Sequence, residues 1–184
     1  MPSTPLKILL VEDNPHDAEL VLRELRRAGF DFEYQRVDTE EDYLKHLHEG
    51  LDLILSDYLM PQFNGLRALE LLKERGLDVP FIIVSGSIGE DIAVAAMKQG
   101  VADYLLKDRL ARLGLSINHA LTVGRVRRER RQAENKIQNQ LRELQRWHEA
   151  TLGREERILE LKNEVNELLI KQSLPPRYFS PTQS

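Results

Sequence analysis

The sequence predicts an α/β fold, a doubly wound five-stranded parallel sheet followed by a long C-terminal helix. In roughly the first two thirds of the 184-residue chain, short apolar runs alternate with helical patterns. This alternation is typical of parallel strands that are covered by helices on both faces. Beyond it, a helical repeat of apolar residues continues much further than such a sheet needs. The predicted strands are residues 6–11, 32–37, 51–55, 79–84 and 104–106.

The helices between these strands have recognisable signals. Residues 15–28 carry apolar side chains at helical spacing, with Asn14 as the N-cap, Pro15 in the first turn and Gly29 as the stop. Two later segments show the same spacing, and Gly100 ends the second of them. Their apolar positions are Leu66, Leu69 and Leu72, then Ile92, Ala95 and Ala96.

The composition narrows the possible classes of function. The chain contains no cysteine, which excludes a disulfide framework, a thiolate nucleophile and a Cys-based zinc site. No apolar run approaches the roughly 18 to 20 residues that span a bilayer, and the first residues lack the basic and apolar parts of a signal peptide. We therefore expect a cytoplasmic protein that does not enter the membrane.

The net charge of −4 is an average over two different regions. Residues 1–124 contain 21 acidic and 13 basic residues, whereas residues 125–184 contain 9 acidic and 13 basic residues. Between Tyr104 and Tyr178 the only aromatic residue is Trp147. A segment so poor in aromatic residues and so rich in Arg, Glu and Leu is not a second globular core. It predicts an extended helix.

Polar residues follow four of the five predicted strands. Glu12 and Asp13 follow the first strand, Asp57 follows the third, Ser85 the fourth and Lys107 the fifth. Functional groups of a parallel sheet gather at the carboxyl ends of its strands. Three carboxylates without cysteine suit a hard cation such as Mg²⁺. A carboxylate can also attack phosphorus when a cation and an ammonium group offset the charge.

Four motifs carry a resemblance to a known family. They are LVEDN at 10–14, DYLMP at 57–61 with a later glycine at position 65, SG at 85–86 and DYLLK at 103–107. In order and spacing these motifs resemble the response-regulator receiver domain of two-component signalling, over roughly residues 5 to 121. The resemblance implies the flavodoxin-like fold of that family and a role as phosphoprotein rather than as an enzyme.

By this resemblance Asp57 is the phosphoacceptor, which takes a phosphoryl group from a histidine kinase or a phosphotransfer protein. The resemblance also implies Mg²⁺ as the cofactor. Asp13, Asp57 and the backbone carbonyl of Leu59 are expected to bind it directly, and Glu12 is expected to act through water. Because the Leu59 side chain offers no polar group to an attacking water, we expect slow self-dephosphorylation.

The resemblance implies a switch as well. Ser85 and Lys107 are expected to hold phosphoryl oxygens, and Tyr104 is expected to change rotamer as Ser85 moves toward the phosphate. The chain departs from the family pattern at one point, because the lysine is usually followed by proline in a cis peptide and here Asp108 follows it. The Lys107–Asp108 bond is therefore expected to be either trans or cis at a cost of about 2.5–4 kcal/mol.

The basic part of the chain has the periodicity of a coiled coil. With Val123 at position a, ten of the fourteen a and d positions up to Leu168 are apolar. Valine and isoleucine at a, with leucine at d, favour a parallel homodimer through residues 123–168. A hairpin that folds back near Gly153 is the alternative. The apolar positions are Val123, Val126, Ala133, Ile137, Leu144, Trp147, Ile158, Leu161, Val165 and Leu168.

The predicted organisation has three parts. Residues 1–121 form the receiver domain, residues 122–172 form a coiled-coil helix continuous with the last receiver helix, and residues 173–184 form a flexible tail containing prolines. Proline cannot continue a helix, which predicts the helix end. The segment 177–179, Arg-Tyr-Phe, is an alternative candidate for a docking peptide.

Other interpretations stay open. Each site residue taken alone also fits a structural role, such as a helix cap for Asp13, and only their joint occurrence favours function. One alternative is a dimeric scaffold that is not phosphorylated. A DNA-binding regulator that uses the arginines of residues 125–131 is another, although that segment lacks a known DNA-binding motif. A Mg²⁺-dependent phosphatase with Asp57 as nucleophile needs a general acid two residues later, where Leu59 stands.

Overall fold

The structure, a computed structural model, describes residues 5–86 and 90–178 and all their side chains except those of residues 90 and 91. Within these residues, five strands alternate with five α-helices. The strands are β1 (Leu6–Val11), β2 (Phe32–Val37), β3 (Leu53–Asp57), β4 (Phe81–Ser85) and β5 (Asp103–Leu106). The helices are α1 (Pro15–Arg27), α2 (Glu40–His46), α3 (Gly65–Glu74), α4 (Glu90–Lys98) and α5 (Leu113–Lys171), and a 3-10 helix (Lys107–Arg112) precedes α5.

All five strands join one parallel sheet in the order β2-β1-β3-β4-β5. The chain moves outward from β1 to β2 and then returns to β3 on the other side of β1, so the strand order reverses between β1 and β3. The loops that leave these two strands therefore diverge and open a crevice at the carboxyl edge. The doubly wound, five-stranded fold expected from the sequence is confirmed.

Two apolar cores cover the two faces of this sheet. Successive side chains of a strand point to opposite faces, so Leu9 and Val11 pack under α2, α3 and α4, whereas Ile8 and Leu10 pack under α1 and α5. The residues that α1 and α5 contribute to the second core are Ala18, Val21, Leu22, Leu25, Leu113, Ile117 and Ala120. Helices on both faces explain why four of the five strands are apolar over most of their length.

The signals at the ends of α1 are confirmed. The Asn14 side chain accepts a hydrogen bond from the His16 amide at 2.9 Å, and its carbonyl accepts the Ala18 amide at 3.0 Å. Gly29 has φ 82°, in the left-handed region that glycine occupies without steric cost. At the other end of the helix, the short loop of residues 12–14 joins β1 to α1, and the first acidic residues lie in this loop.

Two strands lie further along the chain than predicted. The predictions were residues 51–55 and 79–84, but β3 and β4 begin two residues later and end on the polar residues Asp57 and Ser85. Leu51 and Val79, which are 6% and 5% exposed, pack into the core before the strands start. Apolar character marks burial, and burial begins before the extended backbone does. Helix α2 was not predicted, because among its residues only Tyr43 is buried.

The first part of α5 packs on the sheet. Gly124 follows the buried residues of α5 in the chain. It lies so close to Pro80 that a Cβ there would stand 2.8 Å from the proline Cγ. One turn later, the Arg127 guanidinium binds the Asp78 carboxylate, with Nε 3.0 Å from Oδ2 and Nη2 also in contact with Oδ1. Arg127 is one of the arginines of the basic segment 125–131, and it pairs with an acidic group of the same chain.

The chain divides into two compact units, Met1–Glu129 and Arg130–Ser184. In the second unit, helix α5 continues to Lys171, and Ser173 at φ 57° ends it. The Asn166 side chain then accepts hydrogen bonds from the amides of Arg177 and Tyr178, both at 2.9 Å, and donates one to the Tyr178 carbonyl at 2.6 Å. The flexible tail stays a prediction, and its residues 179–184 lie outside the described residues.

Among the helices in the described ranges, none combines the length with the apolar character that crossing a membrane requires.

Candidate functional site

The carboxyl edge of the sheet brings the predicted site residues together. Glu12 follows β1, Asp57 is the last residue of β3, Ser85 is the last residue of β4 and Lys107 follows β5. The sheet register places Val11 opposite Ser56, so Glu12 and Asp57 leave neighbouring strands at the same level. Parallel pairing therefore gathers residues that are as many as 95 positions apart in the chain.

Lys107 lies at the centre of this edge and contacts three carboxylates. Its Nζ is 2.8 Å from Glu12 Oε2, 2.7 Å from Asp57 Oδ2 and 2.6 Å from Asp17 Oδ2. The side chains of Glu12 and Asp57 are only 2% and 10% exposed, whereas Asp17 is 28% exposed. Each of the three protons of an ammonium group can serve one acceptor, so the lysine satisfies all three carboxylates at once.

This arrangement alters the proton affinities of the central pair. Burial acts to lower the pKa of Lys107, but hydrogen bonds to Asp17, Asp57 and Glu12 outweigh burial and raise it well above its ordinary value. Burial raises the pKa of Glu12, and the charge of Asp57 adds to this effect, although Lys107 opposes both. The edge thus favours the charged form of the Lys107 ammonium and the neutral form of the Glu12 carboxyl more than water does.

Backbone contacts hold Asp57 in place. Its Oδ1 accepts a hydrogen bond from the Leu59 amide at 3.3 Å, and its carbonyl accepts one from the Ser56 hydroxyl at 2.8 Å. A Cβ at Gly65 would stand 2.6 Å from the Asp57 carbonyl oxygen, so the loop can pass this strand end only with glycine there. Leu59 itself is 63% exposed at the rim.

Asp13 lies beside this cluster and not within it. Its side chain is half-buried, and its carbonyl and that of Glu12 both accept hydrogen bonds from the Arg36 guanidinium, at 3.2 and 2.9 Å. Among the described residues, the acidic oxygens that lie within 4.8 Å of one another are those of Glu12, Asp17 and Asp57.

Asp17 is the residue that the sequence analysis did not predict. Asp17 lies within α1. The residues predicted to meet at this edge were those that directly follow a strand, so a residue inside a helix was not among them. One signal could have revealed it. Asp17 lies in the first turn of α1, and this helix begins only four residues after β1 ends, so the residue stays close to that strand end. An acidic residue one turn into the helix after the first strand therefore points toward the same edge.

The other predicted residues surround the cluster. Ser85 is 1% exposed at the end of β4. The Tyr104 ring is half-buried and lies edge-on to Tyr58, with 6.5 Å between the ring centroids. Gly86 lies beside the lysine, since a Cβ there would make an ordinary contact with Lys107 Cδ at 3.9 Å.

The Lys107–Asp108 peptide bond is trans, since the described residues contain no cis peptide bond. The lysine is the first residue of the 3-10 helix that leads to α5. Just before it, the Asp103 carboxylate accepts hydrogen bonds from the Tyr104 amide at 2.8 Å and from the Ser116 hydroxyl at 2.5 Å. These bonds join β5 to α5 and fix the strand end from which the lysine departs.

The donor set fits the hard cation expected from the sequence. Carboxylate oxygens are the ligands that Mg²⁺ prefers, and the edge offers three of them around a space now bridged by the Lys107 ammonium. Lys107 supplies one positive charge against three carboxylates, so the edge keeps an excess of acidic groups whose charge a cation can offset.

A doubly wound sheet with carboxylates and a lysine at its carboxyl edge is the architecture of a receiver domain. The profile of the family described as "Response regulator receiver domain" matches residues 8–117, and the chain belongs to this family. Domains of this family take part in two-component signalling and bind Mg²⁺ at their acidic residues.

The chain is similar to several known proteins. It is 38% identical over 118 residues to the response regulator protein FleR of Pseudomonas aeruginosa, covering 62% of this chain and 24% of that protein. It is 40% identical over 135 residues to the DNA-binding transcriptional regulator NtrC of Proteus hauseri, covering 72% and 28%. The chain thus spans about a quarter of the length of these relatives.

Among solved structures, a response regulator receiver domain protein from Clostridium thermocellum is similar with a TM-score of 0.57 and 25% identity. The similarity covers 66% of this chain and 98% of that one. The part of this chain that lies outside the matched receiver includes most of α5.

Proposed function

We propose that the chain accepts a phosphoryl group on Asp57 from a histidine kinase or a phosphotransfer protein and signals through protein contacts. The position of Asp57 carries the proposal. It is a nearly buried carboxylate at a strand end, and its Oδ2 lies 2.7 Å from the Lys107 ammonium. A fixed positive charge beside the nucleophile offsets the charge of an incoming phosphoryl group.

In the proposed reaction, an Asp57 carboxylate oxygen attacks phosphorus and forms a new P–O bond. The P–N bond to the donor imidazole breaks, and its electron pair returns to the ring nitrogen, which is neutral or takes up a proton from solvent. Lys107, whose Nζ lies 2.7 Å from Asp57 Oδ2, is proposed to bind one phosphoryl oxygen. Ser85, at the end of the neighbouring strand, is proposed to bind another, and Tyr104 to change rotamer in response.

Mg²⁺ is the proposed cofactor, and when bound it supplies positive charge that lowers the repulsion between the acidic edge and the phosphoryl group. The residues proposed to hold it are Asp13, Asp57 and the backbone carbonyl of Leu59, with Glu12 acting through water. The half-buried position of Asp13 at the rim, next to the buried Glu12, is compatible with this set.

Phosphorylation by a small donor tests this proposal. Wild-type protein incubated with an acyl phosphate and Mg²⁺ should gain the mass of one phosphoryl group in intact mass spectrometry, and Asp57→Asn should gain none. Asp52→Asn is the matched control, because Asp52 lies just before the opposite end of β3. Donor consumption without an adduct would indicate the phosphatase alternative, and no reaction at all would indicate the unphosphorylated scaffold.

We further propose that residues 123–168 form a parallel homodimeric coiled coil. The apolar a and d positions support this proposal, since large side chains there are exposed: Ile158 by 43%, Leu161 by 45% and Leu168 by 59%. A helix of this length with an uncovered apolar stripe is not stable by propensity alone and gains stability by burying that stripe.

Sedimentation of the full chain tests the dimer. Wild type should sediment as a dimer at micromolar concentration, and Leu161→Glu should sediment as a monomer with the receiver unit still folded. Glu156→Gln serves as the control, because Glu156 is exposed and lies at an outer f position of the same helix. A wild-type monomer at all concentrations would disprove the homodimer. Phosphorylated and unphosphorylated samples should be compared in the same run.

A further inference from the structure

The three partners of Lys107 are not equivalent. Under the proposed function, Asp57 carries the phosphoryl group and Glu12 acts in cation binding, so the chemistry engages both of them. Asp17 has no such role, yet its Oδ2 makes the shortest of the three contacts with Nζ, at 2.6 Å. It is also the most exposed of the three carboxylates. Asp17 therefore binds the lysine from the solvent side of the edge.

Lys107 needs such a restraint. A lysine side chain has about 2 kcal/mol of rotamer entropy, and its compact ammonium group can swing into solvent. Its backbone lies at the start of a 3-10 helix, and the peptide bond that follows it is trans. The next residue is Asp108, so no proline ring restricts this turn. Contacts at the ammonium end are what hold the side chain over Asp57.

We propose that Asp17 is a positioning residue, which anchors the Lys107 ammonium beside the Asp57 carboxylate so that it is in place when the phosphoryl group arrives. This inference rests on the proposed phosphoacceptor function of Asp57. Asp17 is suited to the role because α1 is rigidly set against the sheet by four buried residues and by the Asn14 cap. Its carboxylate can keep the lysine while Glu12 and Asp57 take other partners.

A competing role for Asp17 is direct binding of the cation, since its oxygen lies within 4.8 Å of those of Glu12 and Asp57. The two roles differ in their dependence on Lys107. A positioning residue has no effect once the lysine is removed, whereas a metal ligand has its effect whether or not the lysine is present. A double-mutant cycle therefore separates them.

The experiment uses the full chain with four variants: Asp17→Asn, Lys107→Ala, the double variant and Glu19→Gln. Glu19→Gln is the matched control, because it removes the same charge from the same helix at an exposed residue that pairs with Arg26. Phosphorylation by an acyl phosphate at saturating Mg²⁺ should be about tenfold slower in Asp17→Asn, as expected for the loss of one charge-assisted hydrogen bond. The double variant should match Lys107→Ala, and Glu19→Gln should match wild type.

A second readout does not depend on phosphorylation. Reductive methylation followed by peptide mass spectrometry measures how available the Lys107 amine is, and labelling should be several-fold faster in Asp17→Asn than in wild type or Glu19→Gln. Calorimetric titration with Mg²⁺ should give similar affinities for Lys107→Ala and for the double variant.

Several outcomes overturn the inference. Unchanged labelling and an unchanged phosphorylation rate in Asp17→Asn contradict it, and so does a further loss of Mg²⁺ affinity when Asp17→Asn is added to Lys107→Ala. If wild type accepts no phosphoryl group, the proposed function fails instead. In that case the labelling comparison alone decides whether Asp17 anchors the lysine.

Discussion

The two units of this chain differ in where they place their charged and apolar side chains. In the first unit, Glu12 and Lys107 are withdrawn from water and paired, and two buried apolar clusters cover the two faces of the sheet. In the second unit, apolar side chains stand in water, with Leu144 exposed by 61% and Trp147 by 69%. The first unit has its own buried core, whereas the apolar stripe of the second is exposed.

The difference also separates two kinds of ion pair. Lys107 is 13% exposed and serves three carboxylates at once, whereas pairs of the second unit such as Arg157–Glu160 join side chains that are about 60% exposed. Exposed pairs contribute little to stability. Buried charges must be matched, and removing one partner leaves the others unpaired at a high cost. Charge is therefore part of the site in one unit and part of the solvated surface in the other.

The largest expected effect compares one leucine in each unit. Leu55→Ala should lower the free energy of unfolding by about 2–5 kcal/mol, because Leu55 is fully buried in β3 and its loss leaves a cavity. Leu152→Ala should change it by less than about 0.5 kcal/mol, because Leu152 is 47% exposed at the outer b position of α5. Urea unfolding of both variants measures the difference. Equal losses would mean that Leu152 is buried in solution.

The next comparison uses two glycines. Gly65→Ala should destabilise the protein by about 1–3 kcal/mol and slow phosphorylation, because the new Cβ would stand 2.6 Å from the Asp57 carbonyl. Gly153→Ala should stabilise the helix by about 1 kcal/mol, because Gly153 lies in helical backbone with nothing within 4 Å. Thermal unfolding with parallel mass spectrometry of the phosphorylated form checks both. A stable, fully active Gly65→Ala would show that the loop between β3 and α3 can shift enough to accommodate the new Cβ.

A pH comparison tests the buried carboxylate. Burial raises the pKa of Glu12 in the folded protein, so the folded state binds that proton more tightly than the unfolded chain does. Stability that comes from this group is therefore lost as the pH rises from the unfolded-state pKa through the folded-state pKa. Glu12→Gln, which cannot ionise, should be more stable relative to wild type at about pH 7 than at about pH 4.

Urea unfolding without Mg²⁺ at the two pH values measures this shift. Glu33→Gln is the control, because Glu33 is an exposed residue of β2, and its difference from wild type should vary much less. If Glu12→Gln instead becomes less stable relative to wild type as the pH rises toward neutral, the sign of the argument is reversed.

The smallest expected effect concerns the end of the second unit. Asn166→Ala removes the three hydrogen bonds that hold the backbone of Arg177 and Tyr178 against α5. Amide exchange at these two residues should become faster, while global stability changes by about 1 kcal/mol or less. Glu167→Ala, at the exposed neighbouring position, should leave that exchange unchanged. Rapid exchange in wild type would instead support the flexible tail.

Much of the first unit could be predicted from local patterns. The cap at Asn14, the stop at Gly29 and the apolar strands depend on the conformational preferences of a few neighbouring residues, and the structure confirms them. The edge at which Glu12, Asp57 and Lys107 meet could also be predicted, since parallel strands align their carboxyl ends. Helix α2 escaped prediction because its single buried residue leaves no periodic pattern.

The sequence by itself determined the alternation of strands and helices, the residues at the strand ends and the apolar stripe of α5, because each depends on spacing along the chain. Only the tertiary structure decided that Asp17 contacts Lys107 across 90 positions, that Arg127 pairs with Asp78, and that Asn166 binds the segment beyond the helix. These contacts depend on the angle and distance at which packed elements face one another. No periodicity in the sequence records those quantities, since they arise from the packing of the whole domain.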